Sequence, residues 1–140
     1  MTVDGFRAIA GQVVWIGLGA VLGANARYFV SLWLAAKLGA EFPYGTLAVN
    51  VSGSLLLGFL VAVGSHYLAL SPQLRLMMTV GFLGSFTTFS TFAVESMALW
   101  QNGRAWAALA NILANNGISL VCALLGILLA RQLLPCDLCD

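Results

Sequence analysis

Four stretches of this chain are long and apolar enough to cross a lipid bilayer, and no length remains for a soluble domain. A hydrocarbon core about 30 Å thick needs roughly 20 apolar residues per helix, so uncharged runs can be counted directly as candidate spans. They run from about 12 to 36, 45 to 70, 73 to 99 and 106 to 133. The first contains Arg27, and the second lies inside a stretch, 42–74, that holds no Asp, Glu, Lys or Arg. The third is free of charge between Arg75 and Glu95, and the fourth sits between Arg104 and Arg131. Only 8% of the residues are charged and 61% are hydrophobic, whereas about a quarter of an ordinary soluble domain is charged. The expected fold is therefore an all-α membrane protein, residues 1–140 forming a single domain of four transmembrane helices.

The pauses between spans are short and carry helix breakers: Leu38-Gly39-Ala40-Glu41-Phe42-Pro43, Ser71-Pro72 and Gln101-Asn102-Gly103. Consecutive helices must then be antiparallel neighbours. Trp33, Tyr44, Tyr67, Trp100 and Trp106 fall near span ends, as amphipathic rings do at membrane interfaces, while Trp15 and Tyr28 fit that belt less well. Arg7, an apolar run and Ala24-Asn25-Ala26 resemble a signal peptide, but the apolar pattern resumes directly after Arg27. Cys122 reads as a small apolar residue of the fourth span, and Cys136 and Cys139 form an isolated C-x-x-C in the tail.

Four crossings put Arg7, Arg75 and Arg131 on one side and Lys37, Arg104 and Arg27 toward the other. Orientation follows the Lys/Arg bias of short loops, and a three-against-three tally gives no instruction. The expectation is insertion in both directions and an antiparallel homodimer, which recreates the inverted repeat that many transporters carry within one chain.

Polar residues within the spans are patterned. Thr46, Asn50 and Ser54 recur at i, i+4 and i+8 in the second span, with Gly53 and Gly58 nearby. Asn111, Asn115 and Ser119 repeat that spacing in the fourth, with Asn116 beside them. Each set forms one narrow stripe on a helix of 3.6 residues per turn. Such groups either hold helices together or line a wet path, and neutral amides and hydroxyls can replace part of an ion's hydration shell. They donate and accept alike, so the stripes leave the ion's sign open.

The third span contains Gly81-Phe82-Leu83-Gly84-Ser85-Phe86-Thr87-Thr88-Phe89-Ser90-Thr91-Phe92, with two glycines and five hydroxyls after Val80. These weaken a helix. The expectation is a helix broken at mid-membrane near residues 84–88, with freed carbonyls available to a small cation such as sodium. Phe89 and Phe92 share one face, and their ring edges carry the positive end of the quadrupole, which suits an anion met edge-on. His66 reads as interfacial, and Gly19-x-x-x-Gly23 as a close helix contact. No span carries an acid at mid-depth, which favours a passive path over a proton-coupled carrier.

Taken with Gly45-Thr46-Leu47-Ala48-Val49-Asn50 and Gly23-Ala24-Asn25-Ala26-Arg27, the run from Gly81 to Phe92 with Glu95 resembles the Fluc (CrcB) fluoride channels. The resemblance implies passive, selective fluoride export across a bacterial inner membrane by an antiparallel homodimer with two pores. It implies a structural sodium ion held by the carbonyls of Gly84 and Thr87. It places Phe89, Phe92, Asn50, Ser90 and Thr91 along the fluoride pore, and Arg27 and Glu95 near the pore mouths. Thr46, Asn111, Asn115 and Ser119 join the pore lining by face and depth. The partners implied are a second copy of the chain, fluoride, sodium and the lipid bilayer, with no nucleic acid. The main rival is a small multidrug-resistance transporter, which needs a membrane-embedded glutamate in its first helix, and this first span has no acid. An assembly protein would leave both polar stripes unexplained, and an enzyme lacks a nucleophile–base pair or metal-ligand set.

Overall fold

The computed structural model describes residues 3–66 and 71–133, and it is helical almost throughout. Four helical rods are long and apolar enough to cross a membrane, as the hydropathy pattern requires. The first is Val3–Leu38 and the second Tyr44–His66. The third span is assembled from Pro72–Leu76, a π-helical turn over Met77–Leu83, the short Gly84–Phe86 and then Phe89–Gln101. The fourth joins Ala105–Leu113, a second π-helical turn at Ala114–Ile118, and Ser119–Leu133. The expected second span reached residue 70, and its last four residues lie outside the described ones, as do Tyr67, Cys136 and Cys139.

Local chemistry sets the helix ends. Ser71 caps the third span, its hydroxyl accepting from the Leu74 amide at 3.3 Å, and Pro72 occupies the first turn, where a missing N–H costs nothing. At the far end Gly103 takes φ 74°, the Gly103 amide donates to Trp100 O and the Arg104 amide to Leu99 O. That pair of bonds is a Schellman stop, which favours glycine because other residues avoid positive φ.

Helix pairing depends on missing side chains. A Cβ on Gly23 would overlap the Phe82 carbonyl, and one on Gly81 would come within 2.6 Å of the Ile16 carbonyl, so the first span lies backbone to backbone against the third. The glycine contact expected at Gly19 and Gly23 is present. Gly58 against Ala123 and Gly126 against Leu55 do the same for the second and fourth spans. Close approach through small residues is how helices associate where lipid is as apolar as their own side chains.

Polarity is reversed relative to a soluble protein. Thr46, Thr88, Ser96, Asn111 and Asn115 are buried, while Val13, Leu22, Phe29, Leu120, Leu124 and many other large apolar residues are exposed. The buried apolar clusters are small, one around Val49, Leu83 and Phe86, the other around Ala62, Val63 and Ala130. We expect Gly23→Leu and Gly126→Leu each to abolish a monodisperse, thermally stable preparation in detergent, because overpacking by a whole side chain exceeds the ~1–3 kcal/mol of an extra methylene. Gly11→Ala, which meets nothing within 4 Å, should leave the melting temperature unchanged.

Candidate functional site

Midway along the third span, two residues abandon helical geometry. Thr87 has φ −82° and ψ 158°, and Thr88 φ −154° and ψ 119°. The chain restarts as a helix at Phe89, with Thr88 as its N-cap: the Thr91 amide donates to Thr88 Oγ1 at 3.2 Å. The segment can sit close to the second span because Gly53 has no side chain there, and a Cβ on it would overlap Thr87 Cγ2.

Interrupting a helix frees backbone groups, and Asn50 takes both of those on Thr88. Its Nδ2 donates to Thr88 O at 3.0 Å and its Oδ1 accepts from the Thr88 amide at 2.8 Å, as a neighbouring peptide group would. The Thr88 amide therefore does not return to the Gly84 carbonyl, nor the Thr91 amide to the Thr87 carbonyl. Gly84 is exposed, and space beside it is open apart from Thr79 O at 3.8 Å from a would-be Cβ.

The two stripes are brought together by the fold. Asn50 Nδ2 also donates to Asn115 Oδ1 at 2.9 Å, Asn115 Nδ2 donates to Asn111 Oδ1 at 2.8 Å, and Asn111 Nδ2 donates to Ser96 Oγ at 2.9 Å. Thr46 Oγ1 donates to Glu95 Oε1 at 2.9 Å. Thr88 falls within the break that the sequence led us to expect, whereas Ser96 was not singled out, and it stands one helical turn after Phe92 on the same face.

Two cavities flank this network. An inner one of about 230 Å³ is bordered by Phe89, Phe92, Asn50, Ser54, Asn115 and Ser119 among others. The two rings are 5.4 Å apart at 59°, Phe92 being 6% exposed and Phe89 75%. The Ser119 hydroxyl is buried with no hydrogen-bond partner. Thr88 Oγ1 donates to Thr91 Oγ1 at 2.9 Å, and Ser90 Oγ lies 3.5 Å from Thr88 Oγ1, so the hydroxyl run clusters at the helix start.

An outer cavity of about 380 Å³ is bordered by Thr46, Glu95, Tyr44, Asn102, Glu41 and Arg104 among others. Glu95 Oε2 is buried there without a partner. Arg104 pairs with Glu41 at 3.0 Å and also donates to the Glu41 carbonyl, which ties the first connection to the third. Arg27 borders neither cavity and makes no ion pair among the described residues. Asn111, fully buried, also borders neither.

Residues 14–127 match the family described as CrcB-like protein, Camphor Resistance (CrcB). The fluoride-specific ion channel FluC of Syntrophotalea carbinolica is 51% identical to this chain over 87% of its length and 99% of the relative's. That of Sorangium cellulosum is 47% identical over 86% of this chain and 94% of the relative, and that of Rhizobium meliloti 39% identical over 87% and 98%.

The half-buried Thr46–Glu95 hydrogen bond should show in a double-mutant cycle. We expect Thr46→Val and Glu95→Met to couple by about 1–2 kcal/mol in detergent unfolding, since each removes one end of the same bond and methionine leaves no strong acceptor for the Thr46 hydroxyl. Additive effects within a few tenths would mean that the bond contributes nothing.

Proposed function

The chain belongs to the CrcB-like family, and on that premise we propose that it is a fluoride channel, a passive conductor rather than an enzyme. The relatives named as fluoride-specific ion channels carry the choice of ion. The observation that carries the mechanism is the inner cavity, where two phenylalanine rings meet hydroxyls at the start of a restarted helix. Fluoride holds its water tightly, so a path must offer several donors at once without a fixed countercharge that would trap the ion. Ring edges present partial positive charge, and the Ser54, Ser90, Thr91 and Ser119 hydroxyls can rotate to donate. In this reading fluoride passes from the cytoplasm toward the exterior along Phe89 and Phe92, with Thr46, Asn50 and Asn115 framing the path, Asn111 behind them, and Glu95 and Arg27 toward its ends.

The conducting unit is read as an antiparallel pair of chains in a bacterial inner membrane. The balanced Lys/Arg tally supports it, as does the exposure of Phe89, a large ring left uncovered at the edge of the inner cavity. A second chain would cover that ring and close the cavity. The carbonyls of Gly84 and Thr87, released by the Thr88 and Thr91 amides, suit a hard monovalent cation, which takes neutral oxygens without needing carboxylates. One chain offers too few such oxygens to surround an ion, so a sodium ion fits best on the axis between two copies, where it would cancel the partial negative charge of the exposed carbonyls and hold the extended segments in place.

Purified protein in liposomes should release fluoride on a potassium ionophore while chloride stays behind; equal efflux of the two would remove the fluoride reading. Phe92→Ile and Asn50→Asp should each lower fluoride efflux by about tenfold or more with the dimer intact, because one removes the ring edge and the other a buried pair of donors. Two lysines added to one connection should fix the orientation and abolish efflux, and co-expression with the oppositely biased variant should restore it. Activity from one fixed orientation would refute the inverted pair.

A further inference from the structure

The hydrogen bonds around the third span run in one direction and return to the same span. The Thr88 amide donates to Asn50, Asn50 to Asn115, Asn115 to Asn111, Asn111 to Ser96, and Ser96 Oγ to the Phe92 carbonyl at 2.8 Å. The path leaves the third span at Thr88, crosses the second and fourth, and re-enters the third one turn later. That turn carries Phe89, Ser90, Thr91 and Phe92.

The members of this circuit have little left for an ion. Both donors of Asn50 are engaged, by Thr88 O and Asn115 Oδ1. Asn115 Nδ2 faces Asn111 O at 3.1 Å and Asn111 Oδ1 at 2.8 Å, and the single Ser96 proton goes to Phe92. Ser96 is 5% exposed and Asn111 fully buried, and neither borders a cavity.

We propose that Ser96 and Asn111 are positioning residues. They fix the rotation and axial height of the Thr88-to-Phe92 turn, so that the two aromatic rings and the Ser90 and Thr91 hydroxyls stand where an anion meets them, and they do not touch the anion themselves. Hydrogen bonds linked head to tail polarise one another, and a circuit that begins and ends on the same turn constrains that turn at both ends. Opening it at Ser96 leaves the Asn111 amide unpaired and lets the turn relax, with the effect felt at Phe92. The functional half of this inference rests on the fluoride-channel reading, whereas the geometric half does not.

The test compares Ser96→Thr with Ser96→Val, which have the same shape and differ in the hydroxyl, and adds Ser96→Ala, which cannot crowd its neighbours. Fluoride and chloride efflux from liposomes are measured beside hydrogen exchange of the Thr88 amide in the full-length protein. Val and Ala should each lower fluoride efflux and speed Thr88 exchange by about tenfold, the scale of losing one buried partner, while amides at 19–23 stay protected. Thr should recover most of both. Undiminished, selective efflux in Val and Ala would overturn the proposal, and so would reduced efflux with unchanged Thr88 exchange, which would make Ser96 a direct ligand. Equal failure of Thr and Val with normal Ala would assign the effect to volume and overturn it as well. Wild-type protein without fluoride efflux would defeat the channel reading, and unchanged Thr88 exchange in Val and Ala would separately defeat the circuit.

Discussion

A helix interrupted inside an apolar span exposes peptide groups to surroundings that cannot hydrogen-bond them, and each unmet group costs roughly 1–3 kcal/mol or more. Thr87 and Thr88 create that situation, and the Asn50 amide resolves it by pairing with both backbone groups of Thr88. Much of the interior follows from this one exchange. Asn50 needs a neighbour for its second donor, which fixes Asn115 beside it; Asn115 in turn needs Asn111, and Asn111 needs Ser96.

Such a network must be packed tightly enough to exclude competing partners, and glycines make that possible. The first and third spans touch through Gly23 and Gly81, the second and fourth through Gly58 and Gly126, and Gly53 leaves room for Thr87. The apolar bulk is displaced outward as a result, and the interior is left to amides and hydroxyls. One π-helical turn, Met77–Leu83, carries Gly81 and lies against the first span, and the other, Ala114–Ile118, carries Asn115. An extra residue in a turn shifts the face that follows it, and such turns are common at functional sites.

The network also divides the polar residues into two kinds. Those of the circuit satisfy one another and hold the restarted helix. Ser54, Ser90, Thr91 and Ser119 retain freedom, and Ser119 and Glu95 each keep a buried oxygen without a partner, one beside each cavity. An ion path built between inverted copies would use the second group and depend on the first.

Sequence by itself determined the number of spans, their helical nature and the polar stripes, because hydropathy, helical spacing and a bilayer's thickness are properties of the chain alone. The glycine contact of the first span and the weakness of the run from Gly81 to Phe92 were legible for the same reason: both are local. Its resemblance to the fluoride channels also rested on short motifs readable in order. Only the tertiary structure decided what each polar residue does. Asn50 and Asn111 lie on similar stripes, yet one clamps a peptide and borders a cavity while the other is sealed away. Ser96 and Thr88 gained their parts from residues up to 38 positions distant in the chain. A hydrogen bond is directional and needs both partners in place, and that placement exists only after the helices have packed.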